Sequence, residues 1–406
     1  MARVLFAWEL GAGLGHLNRM LQVARNFQRR RHQVFMVVQD LSKVHQVAHP
    51  EDNFLWFQAP VWLPPLRDRP PAASYAEILF FTGFLDPGGL LGLVRGWHAL
   101  FAAIQPDLLV CDHAPVSLLS ARSTPFKKVT LGTGFFHPPN LAPIPPFRVW
   151  EQTDSQRVKE SEAKALDTCN QVLRAMGQAA LSNLHELFSV DACFLTSWPE
   201  FDHYANRPAG NHVYVGPLTE TSSGRDPVWP RAGGKRIFAY LKAEYTGIEH
   251  VLDALSRSEN CVLAYVSGAS DQLLSRYASS NLMFSKTPLS LDAVLEEANA
   301  VICHAGMGTV STALRAGCPS LNLPLYAEQR IIGERVAELG YGICVSEKRL
   351  EEDLPLALHT LLHNPELLLR TKAFQNTQTN YSAEAITHTV VEQCELLMKQ
   401  RAANDR

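Results

Sequence analysis

"AVICHAGMGTVSTALRAGCPSLNLPL", residues 300–325, contains an apolar run, a glycine turn, a helical pattern and a second apolar run in immediate succession. Val301 to Cys303 end the first run, His304 to Gly308 make the turn, and Val310, Ala313 and Leu314 then mark one face of a short helix. Gly317 suits the residue that closes that helix, and Pro319 prevents its continuation. A helix that starts directly behind a strand points its N-terminus out of the carboxyl edge of the sheet. Free backbone N–H groups and the helix dipole favour an anion there. Gly306 and Gly308 let a phosphate come close to the chain, and His304 and Thr309 can add side-chain donors. The same glycines also suit a tight turn that needs φ above zero, and the fragment alone leaves both uses open.

The pattern continues on either side. "RIFAYL", "IEHVLDALSR", "CVLAYVS" and "SLDAVLEEA" alternate strand and helix before the motif, and "RIIGERVAELG" supplies a further helix after it. Such alternation implies a parallel sheet covered by helices. The N-terminal half opens in the same way: "RVLFAW" as strand, the loop "ELGAGLG", a helix with Leu17, Leu21, Ala24 and Phe27 at helical spacing, and the strand "HQVFMVV". "PDLLVCD" at 106–112 and "KVTLGTGF" at 128–135 are later strands of that half. A helical region reaching "SNLHELFSVDACFLTSWPEFDHY" gives way to "VYVGPLTETSSGRDPVWPRAGGK", rich in Gly, Pro and Ser. The expectation is an α/β protein of two Rossmann-like domains. Residues 1–210 form the first, 211–232 the connection, and 233–406 the second, with a final helix free to pack back on the first. At 406 residues the chain exceeds what one core usually serves, which agrees with two domains of roughly 150 to 200 residues each.

Composition excludes several classes. An apolar fraction of 46% with 19% charged residues describes an ordinary globular chain. A net charge of -3 argues against a polyanion, so no nucleic-acid partner is expected, and the basic run Arg29 to Arg31 closes a helix where cations meet the dipole favourably. The eight cysteines form no CxxC pair, so neither a zinc site nor a disulfide framework is indicated. "MARVLFAWEL" has too short an apolar run before Glu9 for an export signal. The apolar region 78–94 is broken by Asp86, Pro87, Gly88 and Gly89, so it cannot span a bilayer as one helix. A cytoplasmic location follows, with peripheral contact to a membrane left open.

The stretch "PLSLDAVLEEANAVICHAGMGTVSTALRAGCPSLNLPLYAEQ" resembles the nucleotide-sugar-binding region of GT-B glycosyltransferases, in the UDP-glycosyltransferase-like group that includes bacterial macrolide and glycopeptide-antibiotic transferases. The likeness is specific over residues 286–345 and looser elsewhere. It implies two Rossmann-like domains facing across a cleft, with a nucleotide-sugar co-substrate and no other cofactor. His304 and the backbone of Gly306, Met307, Gly308 and Thr309 would hold the donor diphosphate. Glu328 and Gln329 match the acidic residue and glutamine that bind donor-sugar hydroxyls, a pairing that offers both acceptors and donors. They also suit the first polar turn of the helix that follows.

The resemblance assigns acceptor and base to the first domain. "GLGH" places His16 at the start of a helix directly beyond the first strand, where the family has the histidine that takes the acceptor's proton. An imidazole titrates near enough to neutrality for this work, and a carboxylate behind it would fix its tautomer. Asp112, at the carboxyl end of "PDLLVCD", is the candidate partner. Gly13 and Gly15 belong to the same loop, and His113 and His137 are competing bases. A dinucleotide fingerprint is the rival reading of "GAGLGH", but His16 stands where its third glycine belongs.

Two departures bear on the donor. Many UDP-sugar transferases of the group carry a glutamate for the ribose hydroxyls eight residues beyond the motif histidine, where this chain has Thr312. UDP and dTDP sugars therefore both remain open. A glycine and serine usual after the first strand of the second domain are replaced by "YLKAEY", so that Lys242 can offer a cation to the diphosphate or simply be solvated. Segments 54–66, 78–94 and 135–147, aromatic or proline-rich, can line a pocket for a small lipophilic or aromatic acceptor, or a lipid, or serve as core. The resulting expectation is an inverting, metal-independent glycosyltransferase with His16 as base and Asp112 behind it. A non-catalytic nucleotide-sugar-binding homologue or partner subunit is the first alternative, and a nucleotide-sugar epimerase of the same fold the second. Acceptor and oligomeric state are not specified by the sequence.

Overall fold

The computed structural model describes residues 1–11, 14–65, 69–219, 224–231 and 233–404. They divide into two compact units, Met1–Leu218 with Glu384–Arg406, and Thr219–Ala383. Gly13, expected in the first glycine loop, lies outside the described residues.

The first unit is built on seven strands: β1 (Arg3–Ala7), β2 (Gln33–Val38), β3 (Leu55–Gln58), β4 (Leu108–Cys111), β5 (Lys127–Gly132), β6 (Ala192–Leu195) and β7 (His212–Tyr214). They form one sheet in the order β3-β2-β1-β4-β5-β6-β7, and every pairing is parallel. Parallel strands covered on both faces need apolar residues at every position, and β1 shows why. Leu5 and Ala7 enter a core made with the helices Tyr75–Leu79, Pro87–Ile104 and Ser155–Ala175. Val4 and Phe6 enter a second core on the other face, with the helix Gly15–Arg29. That helix turns Leu17, Met20, Leu21, Ala24 and Phe27 inward. Full burial of one such large side chain contributes about 1.5–3 kcal/mol. The final helix, Ala383–Asn404, completes this second core with Val390, Val391 and Cys394. Asn26 donates to Thr387 (3.3 Å) and Arg30 pairs with Glu395 (2.9 Å) to seat it.

The second unit repeats the construction with six strands: β8 (Arg236–Lys242), β9 (Cys261–Ser267), β10 (Leu282–Phe284), β11 (Ala300–Cys303), β12 (Ser320–Asn322) and β13 (Gly342–Cys344). Their order is β10-β9-β8-β11-β12-β13, again wholly parallel. Ile237, Ala239 and Leu241 of β8 pack against Val251, Leu252 and Leu255 of the helix Ile248–Ser256 and Leu354 and Leu361 of the helix Leu350–His363. In each sheet the strand order reverses beside its first strand, between β1 and β4 and between β8 and β11. Loops leaving the carboxyl ends of those two pairs diverge to opposite faces and leave the crevice in which α/β proteins bind ligands.

One reading of the sequence needs correction, and one left open is decided. "DACFLTS", taken into a helical region, contains β6, because a short apolar run in a sheet interior carries no period that separates strand from helix. The apolar region 78–94 is core: Leu79, Phe80, Phe84, Leu90 and Val94 are all buried. Among the described residues no single helix is long and apolar enough to cross a membrane.

Candidate functional site

At the β1/β4 reversal, the turn after β1 and the helix Gly15–Arg29 carry His16 to the carboxyl end of β4, where Asp112 follows Cys111. The two side chains meet: His16 Nδ1 lies 2.9 Å from Asp112 Oδ1. This contact assigns the ring proton to Nδ1 and leaves Nε2 as the acceptor. Asp112 is fully buried, and its other oxygen accepts two hydrogen bonds from Arg19, from Nε at 3.0 Å and from an η nitrogen at 2.8 Å. Burial would raise the Asp112 carboxyl, but the Arg19 guanidinium and His16 outweigh that and hold it below the ordinary value. An ion pair this deep is stable only while each partner is satisfied, and breaking one costs about 3–5 kcal/mol.

Aromatic rings confine the imidazole. Trp8 stacks on it with ring centroids 5.7 Å apart, Phe136 lies at 4.7 Å and His113 at 6.0 Å. The edge bearing Nε2 faces Gly11, whose φ of +109° suits glycine, and a β-carbon at that position would sit 2.3 Å from Nε2. His113 is buried with neither ring nitrogen hydrogen-bonded, and burial together with His16 places its imidazole well below the ordinary value. Tyr75, also buried with its hydroxyl unbonded, lines with His113, Thr133, Phe136 and His137 a small cavity in this unit. His137 itself is turned to Thr130 (3.1 Å), and burial pushes its imidazole down to about 3. A ring so weakly basic accepts protons poorly at neutral pH. Gly15 opens the helix, and a side chain there would meet nothing within 4 Å.

Three participants escaped the sequence reading. Arg19 follows His16 by one helical turn, and its signal was a charged residue flanking the buried stripe of an amphipathic helix. Gly11 was noticed only as part of a glycine pattern. Glu9, taken as the end of an apolar run, is buried and accepts from the backbone N–H groups of Val116 (2.8 Å) and Ser117 (2.7 Å), which fixes the turn beyond Asp112. Burial raises its carboxyl to about 8 against those hydrogen bonds.

The second reversal brings together β8 and β11. The helix after β11 runs Met307–Arg315 with Gly306 as its N-cap, so Met307, Gly308 and Thr309 form its first turn. Gly306 has φ -64° and Gly308 is helical, while the residue with positive φ is Ala305 (58°). The tight-turn explanation of these glycines therefore fails. A β-carbon on either would meet nothing within 4 Å, so the space before them is open and a ligand can approach the backbone.

His304 does not offer a donor to that space. Its Nδ1 donates to the Leu323 carbonyl (2.6 Å), and its Nε2 accepts the backbone N–H of Lys242 (2.9 Å). The ring thus ties the end of β8 to β11 and β12. Burial, with the Lys242 ammonium nearby, keeps it below its ordinary value and so neutral. Lys242 Nζ lies 3.3 Å from Glu244 and over the Tyr326 ring at 5.4 Å, so its cation is already shared. Gln329 caps its own helix, Ala327–Glu338: its Oε1 accepts from Leu325 (2.9 Å) and Tyr326 (3.3 Å). Glu328 precedes it in the first turn, half-buried. Thr312 donates back to Gly308 (2.9 Å) inside the helix.

Residues 249–397 match the family described as erythromycin biosynthesis protein CIII-like, C-terminal domain. Over 381 residues the chain is 23% identical to a PGL/p-HBAD biosynthesis glycosyltransferase of Mycobacterium tuberculosis, covering 90% of this chain and 86% of that one. A PGL/p-HBAD biosynthesis rhamnosyltransferase of Mycobacterium bovis is 24% identical over 371 residues, with 86% and 78% covered. Among solved structures, the calicheamicin glycosyltransferase CalG4 superposes with a TM-score of 0.73 at 17% identity over 98% of each chain. The chain is a glycosyltransferase with the GT-B fold, similar to the UDP-glycosyltransferase-like group. In such a fold the two strand-order reversals are where ligands are expected to bind. The spinosyn rhamnosyltransferase SpnG, solved with thymidine diphosphate, shares this fold with a TM-score of 0.65 at 18% identity, covering 96% of this chain and 99% of its own.

Proposed function

We propose that this glycosyltransferase moves a sugar from a UDP- or dTDP-linked donor to a hydroxyl of a small lipophilic or aromatic acceptor, with inversion and without a metal ion. The observation that carries the reading is the buried His16–Asp112 contact of 2.9 Å, with the opposite edge of the imidazole facing Gly11. Nε2 of His16 takes the acceptor's hydroxyl proton. The acceptor oxygen bonds to the anomeric carbon from the face opposite the leaving group, and the bond from that carbon to the phosphate oxygen breaks. Asp112 stabilises the imidazolium that forms.

The departing diphosphate carries away the bonding pair. Backbone N–H groups of the first turn, Gly306 to Thr309, and the helix dipole neutralise it, worth up to about 2 kcal/mol in a partly buried setting. His304 serves this site by holding the turn. Glu328 and the amide nitrogen of Gln329 bind donor-sugar hydroxyls. Thr312, with its hydroxyl spent on Gly308, brings no carboxylate to the ribose, so loss of the 2'-hydroxyl costs a dTDP donor little. SpnG and VinC, both solved with thymidine diphosphate, support that choice of nucleotide.

Thermal unfolding with UDP, dTDP, GDP and ADP tests the donor site, in the wild-type chain and in Gly306→Val. A ligand at 100 times its Kd adds about 2.7 kcal/mol. The variant's β-carbon meets nothing in the protein, so it should fold normally and lose the response to UDP or dTDP. No response in the wild type would count against the donor site and favour a non-catalytic partner subunit. With an acceptor found by screening, His16→Ala should lower turnover by about a hundredfold or more while donor binding stays. Retained turnover would remove His16 as base.

A further inference from the structure

The Asp112 carboxylate is divided between two partners: Oδ1 belongs to His16, and Oδ2 receives both N–H groups of Arg19. All three side chains are nearly or wholly buried, so solvent screens them little. An η nitrogen of Arg19 also stands 3.4 Å from His16 Nδ1, close enough for a protonated imidazole to be repelled by the guanidinium. We propose that Arg19 is a positioning residue that sets the pH below which His16 ceases to be a usable base, by supplying the counter-charge that Asp112 would otherwise draw from a protonated His16. This rests on the reading of His16 as base.

The argument follows from charge balance. A buried carboxylate with a neutral imidazole as its only partner would be an uncompensated charge, and the imidazole would bind a proton to correct it. With Arg19 present, the pair is already neutral overall and His16 keeps Nε2 free. The other groups around the imidazole do not supply the charge. Trp8 and Phe136 are uncharged, and His113 is itself held neutral by burial. Glu9 is turned to the backbone of Val116 and Ser117. Of the next shell, Tyr75 is neutral, and burial pushes His203 down to about 3. Because Arg19 reaches Asp112 from the turn of helix next to His16, one helix delivers both partners of the carboxylate.

The test uses the full chain without substrate. Histidine side-chain NMR follows protonation across pH, with the His16 signal identified by its loss in His16→Asn. In Arg19→Gln the midpoint of that signal should rise by about one pH unit, a tenfold gain in proton affinity. In Arg19→Lys, which keeps the charge, it should stay within about 0.3 unit of the wild type. An unmoved midpoint in a folded Arg19→Gln chain overturns the proposal. So does an Arg19→Lys shift as large as that of Arg19→Gln, since hydrogen-bond geometry would then be the cause. Should Arg19→Gln not fold, Arg19→Met keeps the stem's packing and is judged by the same midpoint. Full turnover in His16→Ala would instead refute the base, so the two failures are distinguishable.

Discussion

Gly11 lies against the edge of the His16 ring, where a β-carbon would come within 2.3 Å of Nε2. Gly11→Ala should therefore cover the nitrogen proposed to take the acceptor's proton. We expect turnover to fall by about a hundredfold, and the φ of +109° adds about 1–3 kcal/mol of backbone strain. The increment in melting temperature caused by nucleotide should persist, because the proposed donor residues lie in the other unit. A variant with full turnover would show that the acceptor reaches His16 from elsewhere.

His304→Ala removes a ring that satisfies two backbone groups, the Leu323 carbonyl and the Lys242 N–H. Leaving such groups unpaired costs about 1–3 kcal/mol each when buried. The variant should unfold at lower urea concentration even without nucleotide. A side chain that only touched phosphate would leave that midpoint unchanged.

Acid should weaken the first unit well above the carboxylate range. Burial pushes His137 and His203 down to about 3, and His113 is also held well below its ordinary value. Each binds a proton more readily in the unfolded chain, whose imidazoles titrate near 6.5. Stability is therefore complete above that pH and declines as pH falls toward 3, by up to about 1.4 kcal/mol per unit for each histidine. Urea unfolding of His137→Phe between pH 7 and 4 should show a shallower decline than the wild type, even though the Thr130 contact is lost. An identical slope would mean that His137 is solvated.

Deleting residues 384–406 should unfold the first unit rather than trim it. Val390, Val391 and Cys394 are fully buried in its second core. At about 1.5–3 kcal/mol for each of the two valines, their loss takes a large part of a typical domain's stability of 5–15 kcal/mol. Limited proteolysis should cut the truncated chain first within residues 1–218.

Much of this architecture was legible in sequence because parallel strands bury both faces. "RVLFAW" and "AVICHA" are continuous apolar runs followed by glycine and a helical period, and that succession is a βαβ unit. The His16 and Asp112 pairing could be anticipated because His16 opens the helix that follows one strand and Asp112 closes another, and a parallel sheet sets the two strands side by side. The edge strands β10 and β13 of the second sheet were not legible: each has three residues, too few for any period. Nor was the role of His304, since a histidine beside glycines looks the same whether its ring points at a ligand or binds two backbone groups of its own unit. Arg19 was hidden for a related reason, as its partner is remote in sequence and only the register of β1 with β4 brings Asp112 within reach.

The chain begins and ends in the same unit, and residues 219–383 are strung between. The unit proposed to bind the donor is thus a cassette inserted into its host rather than a tail appended to it. Grafting a relative's donor preference onto this acceptor machinery requires two junctions, near 218 and 384. A single-crossover chimera would also replace the helix that covers Phe27 and its neighbours, mixing a foreign surface into the unit it was meant to leave intact.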